Sequence, residues 1–177
     1  KTVNGDVLSI KVSEFGTVII ENNYFDVLVI GNVFNMSLNS NIPNTYGNII
    51  IRNNTVFHSG PASPQELLSL TNGGSWNGVS LVVENNNMTT SSDVGLFIFN
   101  FIPSPTLTSV QITNNIITQN NLSGIFTIAF LGSNNYCANI TGNTIVGAPI
   151  ILAQSAPGFF EMSPGSAAAM SADRKSV

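Results

Sequence analysis

Ile19–Phe25 reads I-I-E-N-N-Y-F, and the chain returns to this pattern along its length. Ile50–Val56 is I-I-R-N-N-T-V, Val82–Met88 is V-V-E-N-N-N-M, Gln111–Ile117 is Q-I-T-N-N-I-I, and Asn139–Ile145 is a weaker N-I-T-G-N-T-I. The second Asn of the pair falls at Asn23, Asn54, Asn86, Asn115 and Asn143, so the intervals are 31, 32, 29 and 28 residues. Self-similarity at roughly 20–50 residues is the signature of a solenoid or related array, in which each repeat buries its apolar face only against its neighbours.

Aligned on the second Asn, the position three before it holds Ile20, Ile51, Val83, Ile112 and Ile140. Five before it stand Val18, Ile49, Leu81, Val110 and Ala138; two after it stand Phe25, Val56, Met88, Ile117 and Ile145. Apolar residues at a period of two mark a strand with one buried face. The first Asn of the pair is Asn22, Asn53, Asn85 or Asn114, replaced by Gly142 in the fifth copy. Asn and Gly share tolerance of the left-handed region, so this position is expected to make a bend. The second Asn does not vary across the five copies, which points to a side-chain role. An inward amide at a corner can bond the same amide in the repeats above and below, satisfying polar groups that are costly to bury bare. Such a ladder implies that the interior Asn86 matters more than the last member, Asn143. Two before the ladder residue stand Glu21, Arg52, Glu84, Thr113 and Thr141, so stacking at about 4.8 Å puts Arg52 between two carboxylates in an outward column.

Between the copies lie further apolar runs, Tyr24–Ile30, Leu96–Ile102 (L-F-I-F-N-F-I) and Ile125–Leu131 (I-F-T-I-A-F-L), and polar connections such as Gly31–Tyr46 and His58–Pro64. Gln65–Leu70 reads equally as a helical turn or a strand. A motif strand, a bend, a second strand, a loop and a third strand per repeat give a right-handed parallel β-helix of about five coils. A leucine-rich-repeat solenoid is the alternative, since it shares the apolar and Asn spacing but has a helical or irregular far side. The Phe- and Ile-rich third strands and the repeat lengths favour the β-helix. Residues 1–155 form the repeat segment, expected to be a fragment of a longer array; residues 156–177 lose the motif and are expected to be a loosely ordered tail.

The copies I-I-R-N-N-T-V, V-V-E-N-N-N-M and Q-I-T-N-N-I-I resemble the repeats of the trypanosomatid dispersed-gene-family surface proteins, over roughly Thr17 to Val146. That resemblance implies a pectin-lyase-like architecture, a surface-associated or secreted parent and an adhesive role, with no catalytic residues to carry over.

The 177 residues are 43% hydrophobic but only 8% charged, with a net charge of −4 and five Lys or Arg. There is no basic stripe for nucleic acid and no basic face for a membrane surface. No apolar run reaches the roughly 18 residues of a transmembrane helix. The single cysteine, Cys137, forms no framework or metal spacing and is expected to be a partly buried thiol beside inward Ala138. His58 reads as a loop residue and Trp76 as packing over an edge. Asp6, Asp26, Asp93 and Asp173 share no repeat position, so no carboxylate pair for glycoside hydrolysis and no calcium loop is legible. Catalytic, metal and cofactor residues are therefore all read as none. Five N-x-S/T sequons occur, at Asn35, Asn53, Asn87, Asn121 and Asn139, about the number chance supplies in so Asn-rich a chain. The expectation is a non-enzymatic segment that binds host or matrix protein or glycan. The rival expectation is part of a polysaccharide lyase or glycoside hydrolase whose catalytic coils lie elsewhere, or a leucine-rich-repeat interaction module.

Overall fold

The structure is a computed structural model that describes residues 2–4, 7–12, 16–30, 33–38, 45–59, 65–72, 76–90, 94–101, 107–120, 125–132, 135–147, 150–154, 158–162 and 171–172; side chains are described for 7–11, 16–28, 33–37, 47–59, 80–90, 109–120 and 137–147. Two strands come first, β1 (Thr2–Asn4) and β2 (Leu8–Val12). Triplets follow: β3 (Gly16–Glu21), β4 (Tyr24–Ile30) and β5 (Phe34–Leu38), then β6 (Thr45–Arg52), β7 (Thr55–His58) and β8 (Gln65–Asn72). The third triplet is β9 (Trp76–Glu84), β10 (Asn87–Thr90) and β11 (Val94–Phe101). The fourth is β12 (Leu107–Thr113), β13 (Ile116–Gln119) and β14 (Ile125–Gly132). The fifth is β15 (Asn135–Thr141), β16 (Thr144–Val146) and β17 (Ile150–Gln154), and the described chain ends with β18 (Gly158–Met162) and β19 (Ser171–Ala172).

The strands of each triplet go to three different sheets, always in the same order. The motif sheet runs β18-β15-β12-β9-β6-β3, the post-bend sheet β1-β4-β7-β10-β13-β16, and the far sheet β19-β17-β14-β11-β8-β5-β2. Neighbouring strands pair in parallel, and register follows the sequence alignment: Ile20 lies beside Ile51, Ile51 beside Val83, Val83 beside Ile112, and Ile112 beside Ile140. The protein is thus all-β, with parallel strands in stacked sheets and no helix among the described residues. The far side is strand rather than helix in every triplet, which weighs against the leucine-rich-repeat alternative.

Alternation builds the core. Along β3, β6, β9, β12 and β15 the residues five and three before the ladder Asn face inward; Ile49, Ile51, Leu81, Val83, Val110, Ile112 and Ala138 are almost completely buried. Val56, Met88 and Ile117 cover them from the post-bend sheet. Phe25 and Phe34 meet edge to face inside the first triplet, with centroids 5.4 Å apart at 85°. Ile19, by contrast, is 50% exposed between its buried neighbours.

Three readings change here. Gly31–Tyr46 is not a plain return loop, because it contains β5. Its sequence F-N-M-S-L alternates so that Phe34 and Met36 are buried; two polar outward residues mask the strand from a composition reading. Gln65–Leu70, ambiguous by sequence, lies in β8. The segment expected to be a loose tail contributes β18 beside β15 and β19 beside β17.

The inward and outward columns predict unequal costs on one strand. Ile51, fully buried, should lose about 2–5 kcal/mol on Ile51→Ala through lost burial and the cavity left behind. Ile50→Ala, on the outer face, should lose a small fraction of that. Equal shifts of the denaturation midpoints in urea would contradict the assigned faces.

Candidate functional site

The repeated Asn pair is where the chain turns from the motif sheet into the post-bend sheet. Asn22, Asn53, Asn85 and Asn114 sit at φ of 59°, 55°, 55° and 56°, and Gly142 at 68°. A single left-handed residue reverses the alternation of the strand, so the ladder Asn that follows points inward although it lies three residues past an inward Ile. The left-handed residue keeps its own N–H bonded across repeats: Asn22 donates to the Arg52 carbonyl, Asn53 to Glu84, Asn85 to Thr113 and Asn114 to Thr141, at 3.1–3.2 Å.

The second Asn carries the ladder. Asn23 donates both its backbone N–H and Nδ2 to Oδ1 of Asn54; Asn54 does the same to Asn86, Asn86 to Asn115, and Asn115 to Asn143, all at 2.9–3.1 Å. The remaining Nδ2 hydrogen reaches back to the preceding repeat: Asn54 to the Ile20 carbonyl, Asn86 to Ile51, Asn115 to Val83 and Asn143 to Ile112, at 2.7–2.9 Å. In Asn54, Asn86 and Asn115 both hydrogens and both lone pairs of the amide are used, and all three are buried. The ends differ from one another. Asn23 is exposed and turns its spare hydrogen to the Glu21 carbonyl of its own strand at 2.9 Å. Asn143 is buried and its spare hydrogen goes to its own Thr141 carbonyl at 3.2 Å.

A second polar column lies inside the post-bend sheet, and sequence reading missed it. Register stacks Val27, His58, Thr90 and Gln119, each four residues after its ladder Asn. His58 was expected in a surface loop; it closes β7 and is buried, with Nδ1 hydrogen-bonded to Thr90 Oγ1 at 3.2 Å. The signal was parity, since position +4 faces inward whenever +2 does, but its mixed chemistry hid it. Gly147 occupies the same place in the fifth repeat at φ 89°, where a Cβ would fall on the Gln119 carbonyl.

On the outer face of the motif sheet, Arg52 Nε bonds Glu21 Oε2 at 2.7 Å, both side chains being more than a third exposed. Glu84 adjoins Arg52 in register, but the expected two-sided charge column forms on the Glu21 side only. Solvent-screened pairs of this kind contribute about 0–1 kcal/mol. Cys137 is exposed rather than partly buried: inward Ala138 turns its neighbour out. Of the sequons, Asn53, Asn87 and Asn139 are exposed, Asn35 is half-buried in β5, and Asn121 lies outside the described residues, as do Asp6, Asp93, Asp173 and the side chain of Trp76.

The outer face of the post-bend sheet gathers exposed apolar side chains. It holds Tyr24 (67% exposed), Leu28, Phe57 (40%), Ile116 and Val146, five of the six exposed large apolar side chains among the described residues. The Tyr24 and Phe57 rings lie 5.8 Å apart at 53°, and Asp26 stands beside Phe57 in register. Thr55, Asn87, Thr89, Thr118 and Thr144 fill the remaining outward places described on β7, β10, β13 and β16. No group of His, Cys, Asp and Glu placed to hold a metal occurs among the described residues. No described helix is long and apolar enough to cross a membrane. Comparison of the chain with protein-family models, with curated proteins and with solved structures finds no match.

The ladder geometry fixes an order of sensitivity. Asn86→Ala strips partners from the buried Asn54 N–H, the Ile51 carbonyl and Asn115 Oδ1, and should cost about 1–3 kcal/mol. Asn143→Ala strands the buried Asn115 N–H and should approach that loss. Asn23→Ala, exposed and acting chiefly as a donor, should cost least. Urea denaturation of the three variants checks the order, and a Asn23→Ala loss as large as Asn86→Ala would contradict it.

The bend predicts a different pattern one residue earlier. Asn85→Gly should leave the melting temperature near that of the parent chain, because Gly142 already serves at this place. Asn85→Val should lower it sharply, since a β-branched side chain is strained at positive φ. Equal melting temperatures for the two variants would argue against a backbone role.

Proposed function

We propose that the chain is a non-enzymatic recognition segment of a right-handed parallel β-helix, carried by a surface or secreted protein and acting by adhesion to host or matrix protein or to glycan. The observation that carries this reading is the concentration of Tyr24, Leu28, Phe57, Ile116 and Val146 on one outer face. Parallel sheets are ordinarily covered on both faces, and exposed apolar side chains gathered on one face mark an interaction surface; here Tyr24, Leu28 and Phe57 lie on β4 and β7, with Ile116 and Val146 beyond the outward Asn87 and Thr89 of β10. Tyr and Phe supply large contact area with little conformational entropy to lose, and Asp26, Thr55 and Asn87 add groups that can fix orientation. The likeness of the motif to dispersed-gene-family repeats points the same way. Handedness and closure of the three sheets into about five coils belong to this proposal, supported by the constant sheet order of the triplets.

The test is binding of the purified chain to immobilised matrix proteins and to a glycan array, compared with a Tyr24→Ser/Phe57→Ser variant. Binding should fall at least tenfold while the melting temperature moves little, because both side chains are exposed. Unchanged binding by the variant would overturn the assignment of the face. Turnover of a polysaccharide that is abolished by Asp26→Asn would replace adhesion with catalysis.

A further inference from the structure

Tyr24, Asp26 and Phe57 form a corner of the aromatic face. Asp26 lies directly beside Phe57 on the neighbouring strand, and Tyr24 stands two residues before it on the same outward side of β4. Strand geometry sets these steps at about 4.8 Å across the sheet and roughly 6.6 Å along the strand. The two rings are 5.8 Å apart and tilted at 53°, so neither covers the other. The corner is built between β4 and β7, inside the first two repeats, and it opens outward. Its charge sets it apart from the rest of the sheet. Asp26 is the only Asp, Glu, Lys or Arg in the six strands β1, β4, β7, β10, β13 and β16. The described cations of the chain are placed elsewhere: Arg52 bonds Glu21 on the motif sheet, and Lys11 belongs to β2 of the far sheet.

Asp26 is exposed, so water solvates its carboxylate in the free chain. A partner that covers the two rings strips that water as well, and a carboxylate left without a counter-charge opposes docking. The partner must therefore bring a positive donor to this corner. An arginine answers all three side chains at once: its planar guanidinium lies on an aromatic face, and its in-plane N–H groups donate in pairs to a carboxylate. A lysine ammonium meets the charge but has no flat face, and a neutral sugar meets the rings without balancing the charge. We infer that Tyr24, Asp26 and Phe57 are a subsite for an arginine side chain of a partner protein. This rests on the adhesive reading of the face and narrows it, because it selects a protein that presents an exposed Arg over a neutral or acidic glycan.

The probes are a blocked Gly-Ser-Arg-Ser-Gly peptide and its counterparts with Lys or with citrulline, the neutral isostere of arginine, in the central place. Titrated into the full chain at constant ionic strength, the Arg peptide should shift the ring-proton signals of Tyr24 and Phe57 in a saturable way. The citrulline peptide should bind about fivefold more weakly, and the Lys peptide should also fall below the Arg peptide. Asp26→Asn should abolish the preference for Arg over citrulline and leave the melting temperature near that of the parent chain, since Asp26 is exposed. The citrulline comparison needs no protein variant, so it stays decisive if a variant folds poorly. Absence of ring shifts, equal binding of the Arg and citrulline peptides, Lys binding as well as Arg, or a preference for Arg that survives Asp26→Asn would each overturn the subsite. With a matrix protein that binds the chain, loss of binding in Tyr24→Ser/Phe57→Ser but none in Asp26→Asn would overturn the subsite and leave the adhesive face standing.

Discussion

A buried primary amide that uses every hydrogen and lone pair is what the arrangement of this chain depends on. Where a strand ends and the next begins in another sheet, backbone groups lose their ladder partners and face a dry interior. Asn54, Asn86 and Asn115 satisfy them by bonding the backbone N–H of one neighbour and the carbonyl and amide of others. Leaving one such group bare costs about 1–3 kcal/mol, comparable with the roughly 1.5–3 kcal/mol from burying an aliphatic side chain. The corner amide is thus as consequential as the Ile three residues before it. It also specifies more, because an Ile can be exchanged for Val or Leu while the amide has no isostere that both donates twice and accepts twice.

The part of the fold that was legible follows from chemistry with one permitted answer. The inward columns at −5, −3 and +2 were readable because only apolar residues fill them. The bend was readable because Gly142 replaces Asn there, which isolates backbone conformation from side-chain chemistry. The column at +4 was not, since Val27, His58, Thr90 and Gln119 share neither polarity nor size. Its inward direction follows from geometry alone, once the strand is known to run two residues further. β5 was missed for a related reason: half of F-N-M-S-L is polar, and a five-residue alternation is a weak signal in an Asn- and Ser-rich neighbourhood. The exposed face needed the three-dimensional register, which sets Tyr24 diagonally across from Phe57 although 33 residues separate them.

Inside and outside obey different rules in this chain. The inward positions at −5, −3 and +2 and the ladder Asn keep their chemistry from repeat to repeat, and repeats of 28 to 32 residues keep them in register, the differences in length falling in the connections and in one-residue irregularities within β8 and β9. Outward positions are free to differ from repeat to repeat. With charged residues at 8% of the chain, Asn, Ser and Thr carry most of the polarity there. A scaffold whose packing is indifferent to its outer columns can hold an apolar, aromatic face without disturbing the core beneath it.

The direction of the amide row has an electrical consequence. In every amide-to-amide bond of the ladder the donor hydrogen points toward the C-terminal end of the row and the accepting C=O toward Asn23, so these bonds align along the row instead of alternating as backbone dipoles do in sheets. Among the described residues the row begins with the Asn23 amide oxygen and closes at Asn143, whose Nδ2 donates back to the Ile112 and Thr141 carbonyls. Each repeat polarises the next, and aligned bonds strengthen one another by ~10–30%.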